Sequence, residues 1–260
     1  MRVELLIENG LALIRLNRPE ALNALSFSIL GELNTAIATI EAGIADKKIR
    51  ALIVTGAGDK AFCAGADITE LMGRSTLEEH QGAKIGQDVF SRIIALSIPS
   101  VAVIHGYAFG GGLELALACT FRVATARAKV GLPEVKLGLI PGYGGTQRLP
   151  RLIGEGRALE IIMSGRTVDA EEAERIGLVN RLVSEGDPFE IGRAFLAPML
   201  KHSLAALDFA CQAVTRGMQT TLQEGLRLER DLSTLAYQTK DAKEGMQAFL
   251  EKRPAQFKDH

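Results

Sequence analysis

The sequence predicts an α/β fold with a helical C-terminal region, and three observations carry that prediction. Strand-like apolar runs alternate with helical patterns from the N-terminus to about residue 187. After Asp187-Pro188 the strand signals stop, and only helical periodicity continues from about Phe189 to Leu250. The chain has 260 residues, 47% hydrophobic and 23% charged, which supplies enough apolar material for a large core. The composition shift divides the chain into a core region, 1–190, and a helical region, 191–260.

Val3 to Ile7 and Leu11 to Leu16 are strand candidates, joined by the hairpin signal Asn9-Gly10. Asn17-Arg18-Pro19 ends the second strand. Ser26 then caps a helical pattern carrying Leu30, Leu33, Ile37 and Ile40, which ends near Gly43. Arg50 to Thr55 is a buried strand, closed by Gly56-Ala57-Gly58-Asp59. A small-residue loop, Ala61 to Asp67, follows, and about Leu77 to Leu96 is a helix. Val101 to His105 is the next buried strand, and Gly106 opens a turn into a helix starting near Gly110. Phe121 to Thr125 and about Lys129 to Leu132 are further strands. Units of two strands and a helix recur without a clear sequence repeat.

The helix after Gly110 holds the most informative residue. Glu114 follows Gly110-Gly111-Gly112 within an otherwise apolar run, Phe109 to Ala118. A carboxylate there must find partners or take up a proton. Gly111 and Glu114 are three residues apart and share a helix face. The first amides of a helix lack partners within it and lie at the positive end of its dipole. They can hold an oxyanion, and glycine lets a ligand approach the backbone closely. The competing reading is that the glycines permit tight packing and Glu114 meets a buried arginine. Glu134, after Gly131-Leu132-Pro133, reads alone as an ordinary helix-start glutamate. It gains weight as a second carboxylate, because a pair in different environments can divide acid and base work. In Ala64-Gly65-Ala66-Asp67, Asp67 reads as a helix cap, while the amide of Ala66 is free to serve a ligand. Pro141-Gly142-Tyr143-Gly144-Gly145-Thr146 either cradles a phosphate or turns the chain.

Several classes are disfavoured. Net charge is −1 with scattered Lys and Arg, which speaks against nucleic acid and a membrane surface as partners. The glycine-rich loops match neither a P-loop nor the G-x-G-x-x-G spacing, and no Gly-x-Ser-x-Gly elbow occurs. His80, His105, His202 and His260 lack metal spacing, so no metal is expected, and His105 reads as a core or rim residue. Cys63, Cys119 and Cys211 read as free thiols of a reducing compartment. With no signal-like or spanning segment recognised, a cytoplasmic location is expected.

These residues give the chain its resemblance to the crotonase (enoyl-CoA hydratase/isomerase) superfamily, and most to its hydratases. The matching runs include Leu16-Asn17-Arg18-Pro19, Ala61 to Asp67, His105 to Ala116, Pro133-Glu134, Pro141 to Leu149 and Gly177-Leu178-Val179. The resemblance implies a spiral of ββα units with a helical C-terminal part, a homo-hexamer built as a dimer of trimers, and an acyl-CoA substrate. Coenzyme A would be part of that substrate, with no separate cofactor. It implies an oxyanion hole from the amides of Ala66 and Gly111, catalytic Glu114 and Glu134, and a water-positioning amide at Gly142. Ala64, Asp67, Ile68, Phe249 and Lys252 would contact CoA, and Thr69 stands where many hydratases carry Lys.

Overall fold

The computed structural model describes residues 1–259; His260 lies outside them. The chain forms two compact units, one of Met1–Leu96 with Ser100–Ala194, the other of Ser97–Pro99 with the segment from Phe195 onward.

In chain order the first unit contains β1 (Val3–Glu8), β2 (Leu11–Leu16), α1 (Phe27–Ala45), β3 (Ala51–Gly56), β4 (Ala61–Cys63), α2 (Ile68–Leu71), α3 (Thr76–Ile94), β5 (Ser100–Ile104) and β6 (Tyr107–Phe109). It continues with α4 (Gly111–Ala118), β7 (Phe121–Thr125), β8 (Lys129–Gly131), α5 (Gly145–Ile153), α6 (Glu155–Ser164), β9 (Val168–Asp169), α7 (Ala170–Arg175) and β10 (Arg181–Val183). Helix α8 (Pro188–Leu196) follows, and then come α9 (Leu204–Gly217), α10 (Leu222–Tyr237) and α11 (Lys240–Leu250) of the second unit.

The ten strands form two sheets. The larger runs β1-β2-β3-β5-β7-β10, with β1 antiparallel to β2 and the remaining pairs parallel. The smaller runs β4-β6-β8-β9, parallel except for the last pair. Three successive turns of chain each lay one strand in the larger sheet and the next in the smaller: β3 and β4, β5 and β6, β7 and β8. This is the spiral of ββα units.

Continuous apolar runs explain the central strands of the larger sheet. Every residue of β3 and β5 is buried, as parallel strands covered on both faces require. Helix α1 buries Ile29, Leu30, Leu33, Ile37 and Ile40 on one stripe, and the Ser26 hydroxyl accepts from the Ile29 N–H at 3.2 Å. Helix α3 starts with a capping box between Ser75 and Glu78. Helix α4 is different, since all eight of its residues are buried. It lies so close to β4 that a Cβ on Gly112 would stand 2.0 Å from the carbonyl oxygen of Cys63. Its far end is held by the buried guanidinium of Arg122, which donates to the carbonyls of Cys119 at 2.9 Å and Leu178 at 2.8 Å.

Two sequence expectations need correction. The loop expected over 61–67 begins as β4, and the turn expected at Gly106 contains β6. Strands β9 and β10 were not anticipated. All four span two or three residues, too short to show a period of two.

In the second unit, α9 and α10 meet at Gly217 and Gly225, where a Cβ on Gly225 would stand 3.5 Å from the Gly217 Cα. Buried Asp241 accepts from the amides of Lys258 at 2.8 Å and Asp259 at 2.9 Å, fastening the C-terminal segment. Among the described residues, no helix is long and apolar enough to cross a membrane.

Candidate active site

The smaller sheet assembles the site at the carboxyl ends of three parallel strands. Pairing of Cys63 with Ala108 brings the segment after β4, Ala64–Ala66, beside the start of α4. Pairing of Phe109 with Gly131 brings the segment after β8, Pro133-Glu134, to the same place, and the Gly110 N–H donates to the Gly131 carbonyl at 2.9 Å. Residues 64–66, 110–114 and 133–134, distant in sequence, thus meet in one cavity of about 510 Å³. Open parallel sheets place ligands at this end of their strands.

Two backbone amides face the cavity. Leu25 pairs with Ala66 through its N–H to the Gly65 carbonyl at 2.8 Å and its carbonyl to the Asp67 N–H at 2.8 Å. Because extended backbone alternates, that pairing turns the N–H of Ala66 to the opposite side. Gly111 is the first residue of α4, so its N–H has no acceptor within the helix. The two amides are close: a Cβ on Gly111 would stand 3.5 Å from the Ala66 nitrogen. Gly110 makes the approach possible with a backbone at φ 50°, ψ −126°.

The two carboxyl groups have contrasting surroundings. Glu114 is 2% exposed, and its Oε1 accepts from the N–H groups of Tyr143 at 2.8 Å and Gly145 at 2.7 Å. Gly145 is the first residue of α5, so Glu114 sits at that helix's positive end. Burial pushes its pKa up to about 7; the Gly145 hydrogen bond opposes this and the charge of Glu134 adds to it. The buried-arginine alternative for Glu114 fails in its direct form. Arg122 caps the other end of α4, and Arg148 donates to the Tyr143 carbonyl at 2.7 Å.

Glu134 begins a 3-10 turn, Glu134–Leu137, just after Pro133. Its Oε2 is buried with no hydrogen-bond partner, and burial raises its pKa too. A Cβ on Gly110 would stand 3.0 Å from its Oε1, so the carboxyl group lies against the turn that precedes the Gly111 amide. The two N–H groups on its Oε1 pull Glu114 toward the anion and burial opposes them, so both carboxyl groups keep their protons to higher pH than a free carboxyl group does. The two titrate as a unit.

Of the other residues singled out, Ala64, Ile68 and Gly142 line the cavity. The Gly142 carbonyl accepts from the Gln87 side chain at 2.9 Å. The carboxylate of Asp67 caps α2 through the Thr69 N–H at 3.2 Å and pairs with Arg18 at 2.6 Å. Phe249 and Lys252 belong to the other compact unit, at and just after the end of α11, and both are exposed there. Leu71 also lines the cavity, while Met72 is exposed and Phe90 is buried behind Tyr143. His105 is a core residue, its Nε2 3.0 Å from the Gly58 carbonyl. The sequence reading missed the two amides that hold Glu114, at Tyr143 and Gly145. The glycine run 142–145 was the available signal, but nothing local shows which carboxylate it meets.

A fold of this topology with paired carboxyl groups beside two outward-facing amides defines an acid–base site for an activated carbonyl compound. The enoyl-CoA hydratase/isomerase family model matches residues 6–260. The chain is 42% identical to a crotonyl-CoA hydratase of Syntrophomonas wolfei, over 96% of this chain and 95% of that one. It is 40% identical to a short-chain-enoyl-CoA hydratase of Clostridium acetobutylicum, over 95% and 93%. The crystal structure of an enoyl-CoA hydratase from Bacillus anthracis superposes with a TM-score of 0.94 at 38% identity, covering all of both chains. The chain belongs to the enoyl-CoA hydratase/isomerase family.

Proposed function

We infer that the protein is an enoyl-CoA hydratase, adding water reversibly and with syn geometry across a trans-2-enoyl-CoA to give a 3-hydroxyacyl-CoA. The observation that carries this reading is the placement of two carboxyl groups, buried Glu114 and half-buried Glu134, beside the Ala66 and Gly111 amides in one cavity. Hydration needs a base for water, an acid for C2, and donors for the oxygen that gains charge.

In this reading the thioester oxygen takes hydrogen bonds from Ala66 and Gly111, which strengthen as negative charge grows. Glu114, oriented by the two N–H groups on its Oε1, acts as the base that removes a proton from the water attacking C3. Glu134, whose surroundings favour the protonated form, delivers a proton to C2. The amides polarise the carbonyl, so the reaction needs no resident cofactor, and CoA arrives with the substrate. The Gly142 amide helps hold the water. Ala64, Asp67, Ile68, Phe249 and Lys252 contact CoA, and the active form is a cytoplasmic homo-hexamer.

Adding crotonyl-CoA and following loss of the conjugated enoyl-thioester absorbance tests the reading. Glu114→Gln and Glu134→Gln should each lower kcat by about 10²-fold or more while leaving binding of a saturated acyl-CoA nearly unchanged. A wild-type protein that binds acyl-CoA tightly yet leaves crotonyl-CoA and longer 2-enoyl-CoAs unchanged is not a hydratase. Dependence on only one glutamate favours an isomerase, which moves a proton with a single carboxylate.

A further inference from the structure

The wall of the cavity opposite its CoA side carries a feature that the hydration chemistry does not use. The side chain of Tyr143 is 8% exposed, and its ring meets buried Phe90 edge-on, centroids 5.7 Å apart at 88°. The ring is seated in α3 only because residue 86 is glycine: a Cβ there would lie 2.3 to 2.6 Å from three of its carbons. Its other edge reaches the reacting position, with Cδ2 3.4 Å from where a Cβ on Gly111 would stand. Phe27 is seated in the same helix, one turn earlier, where a Cβ on Gly82 would lie 2.9 Å from its ring. The Tyr143 hydroxyl makes no hydrogen bond to any described residue. Its pKa is pushed up to about 12 by burial and the nearby carboxylate of Glu114.

We propose that Tyr143, seated on Gly86, is a specificity-determining residue that limits the length of the acyl chain. The proposal rests on the hydratase reading. With the thioester oxygen on Ala66 and Gly111 and the sulfur leaving past Ala64 and Ile68, the acyl tail points away from that rim. It then runs toward the wall formed by Tyr143, Phe27, Gly82 and Ala83. A planar ring wedged between α3 and α4 cannot retreat, because Phe90 and the α3 backbone stand behind it. A four-carbon acyl group ends before the ring, whereas a long alkyl chain must displace it.

The experiment compares kcat/KM for crotonyl-CoA and trans-2-decenoyl-CoA in the wild type, Tyr143→Ala and Tyr143→Phe. In parallel, calorimetry measures binding of butyryl-CoA and decanoyl-CoA, which requires no turnover. The wild type should favour the four-carbon substrate, and Tyr143→Ala should move the ratio toward the ten-carbon substrate by about tenfold or more. Tyr143→Phe keeps the ring and should leave the ratio within about threefold of wild type. If the alanine variant does not fold, Tyr143→Leu, which removes the outer ring edge, carries the same expectation. An unchanged ratio in the shortened variant, or a shift in Tyr143→Phe as large as in Tyr143→Ala, overturns the proposal. If no protein turns over either substrate but shortening Tyr143 selectively tightens decanoyl-CoA binding, the hydratase reading fails and the length limit stands.

Discussion

Gly111 shows how much chemistry one absent methyl group can permit. Its φ is not in the left-handed region, and an alanine there would meet Leu25 at 3.2 Å and Tyr143 at 3.4 Å, so the end of the Leu25 side chain has to give by a few tenths of an ångström. That methyl group would also stand 3.5 Å from the Ala66 nitrogen, in the space that the proposed function gives to the thioester oxygen. Gly111→Ala should therefore lower kcat/KM by about 10²–10³-fold, comparable to losing an oxyanion donor. Its urea midpoint should stay near wild type; a large loss of stability would mean the glycine serves packing first. Glu114 makes the opposite bargain. Its folded pKa of about 7 exceeds the ordinary 4.5, so the folded state binds the proton more tightly than the unfolded chain. Stability is therefore lost as pH rises from about 4.5 through 7, and the full cost is present above that window. At about 1.4 kcal/mol per factor of ten in protonation, that cost is about 3 kcal/mol. Glu114→Gln keeps an oxygen for the Tyr143 and Gly145 amides and removes the charge. Urea unfolding should find the variant stabilised at pH 8.5 and nearly equal to wild type at pH 5, and an equal gain at both pH values would refute the charge argument. The anomaly of Glu114 was legible in its apolar context, because burying a carboxylate needs a reason. Its partners were not, because Tyr143 and Gly145 approach it only through tertiary packing.

At the scale of elements, long periodic segments were readable and short ones were not. Strands β1, β2, β3, β5 and β7 and helices α1 and α3 each repeat their pattern enough to reveal a period, and several carry caps or turn residues at their ends. The strands that deliver the site, β4, β6 and β8, have three residues each. Only β8 was expected, because a three-residue strand shows its identity through its neighbours. The consequence is that the site depends on how tightly α4 seats against the smaller sheet. At Gly112 a Cβ would collide with the Cys63 carbonyl at 2.0 Å, a backbone atom that cannot swing aside. Gly112→Ala should destabilise the fold by about 1–3 kcal/mol or more through overpacking, and should lower activity with it. Thermal unfolding beside an activity assay checks this: a variant that unfolds like wild type would show that α4 has slack. The neighbouring Gly111→Ala is the control, with the same chemical change one residue away and no collision.

For the whole molecule, strands end at β10 and helices continue to Leu250, while the compact units divide between Ala194 and Phe195. What a single chain cannot display is the partner for its own surface. In the second unit, α9 and α10 meet at Gly217 and Gly225, so Val214, Met218, Leu222 and Leu226 belong to one end of that helix pair. They are 66%, 80%, 80% and 55% exposed. Residues 214 and 218, like 222 and 226, are spaced to share a helix face, and a face this apolar is costly to leave in water. At about 25 cal/mol per Å² of apolar surface, covering such faces favours assembly, which is the physical support for the proposed hexamer. Light scattering behind size exclusion should give the wild type about six times the chain mass at micromolar concentration. Replacing Leu222 and Leu226 together with Asp puts two charges on the face and should lower that mass without unfolding the helices. A wild type that runs at the chain mass would remove the hexamer from the proposed function. A double variant of unchanged mass would move the contact to another face, with the exposed Phe249 and Leu250 at the end of α11 the next to substitute.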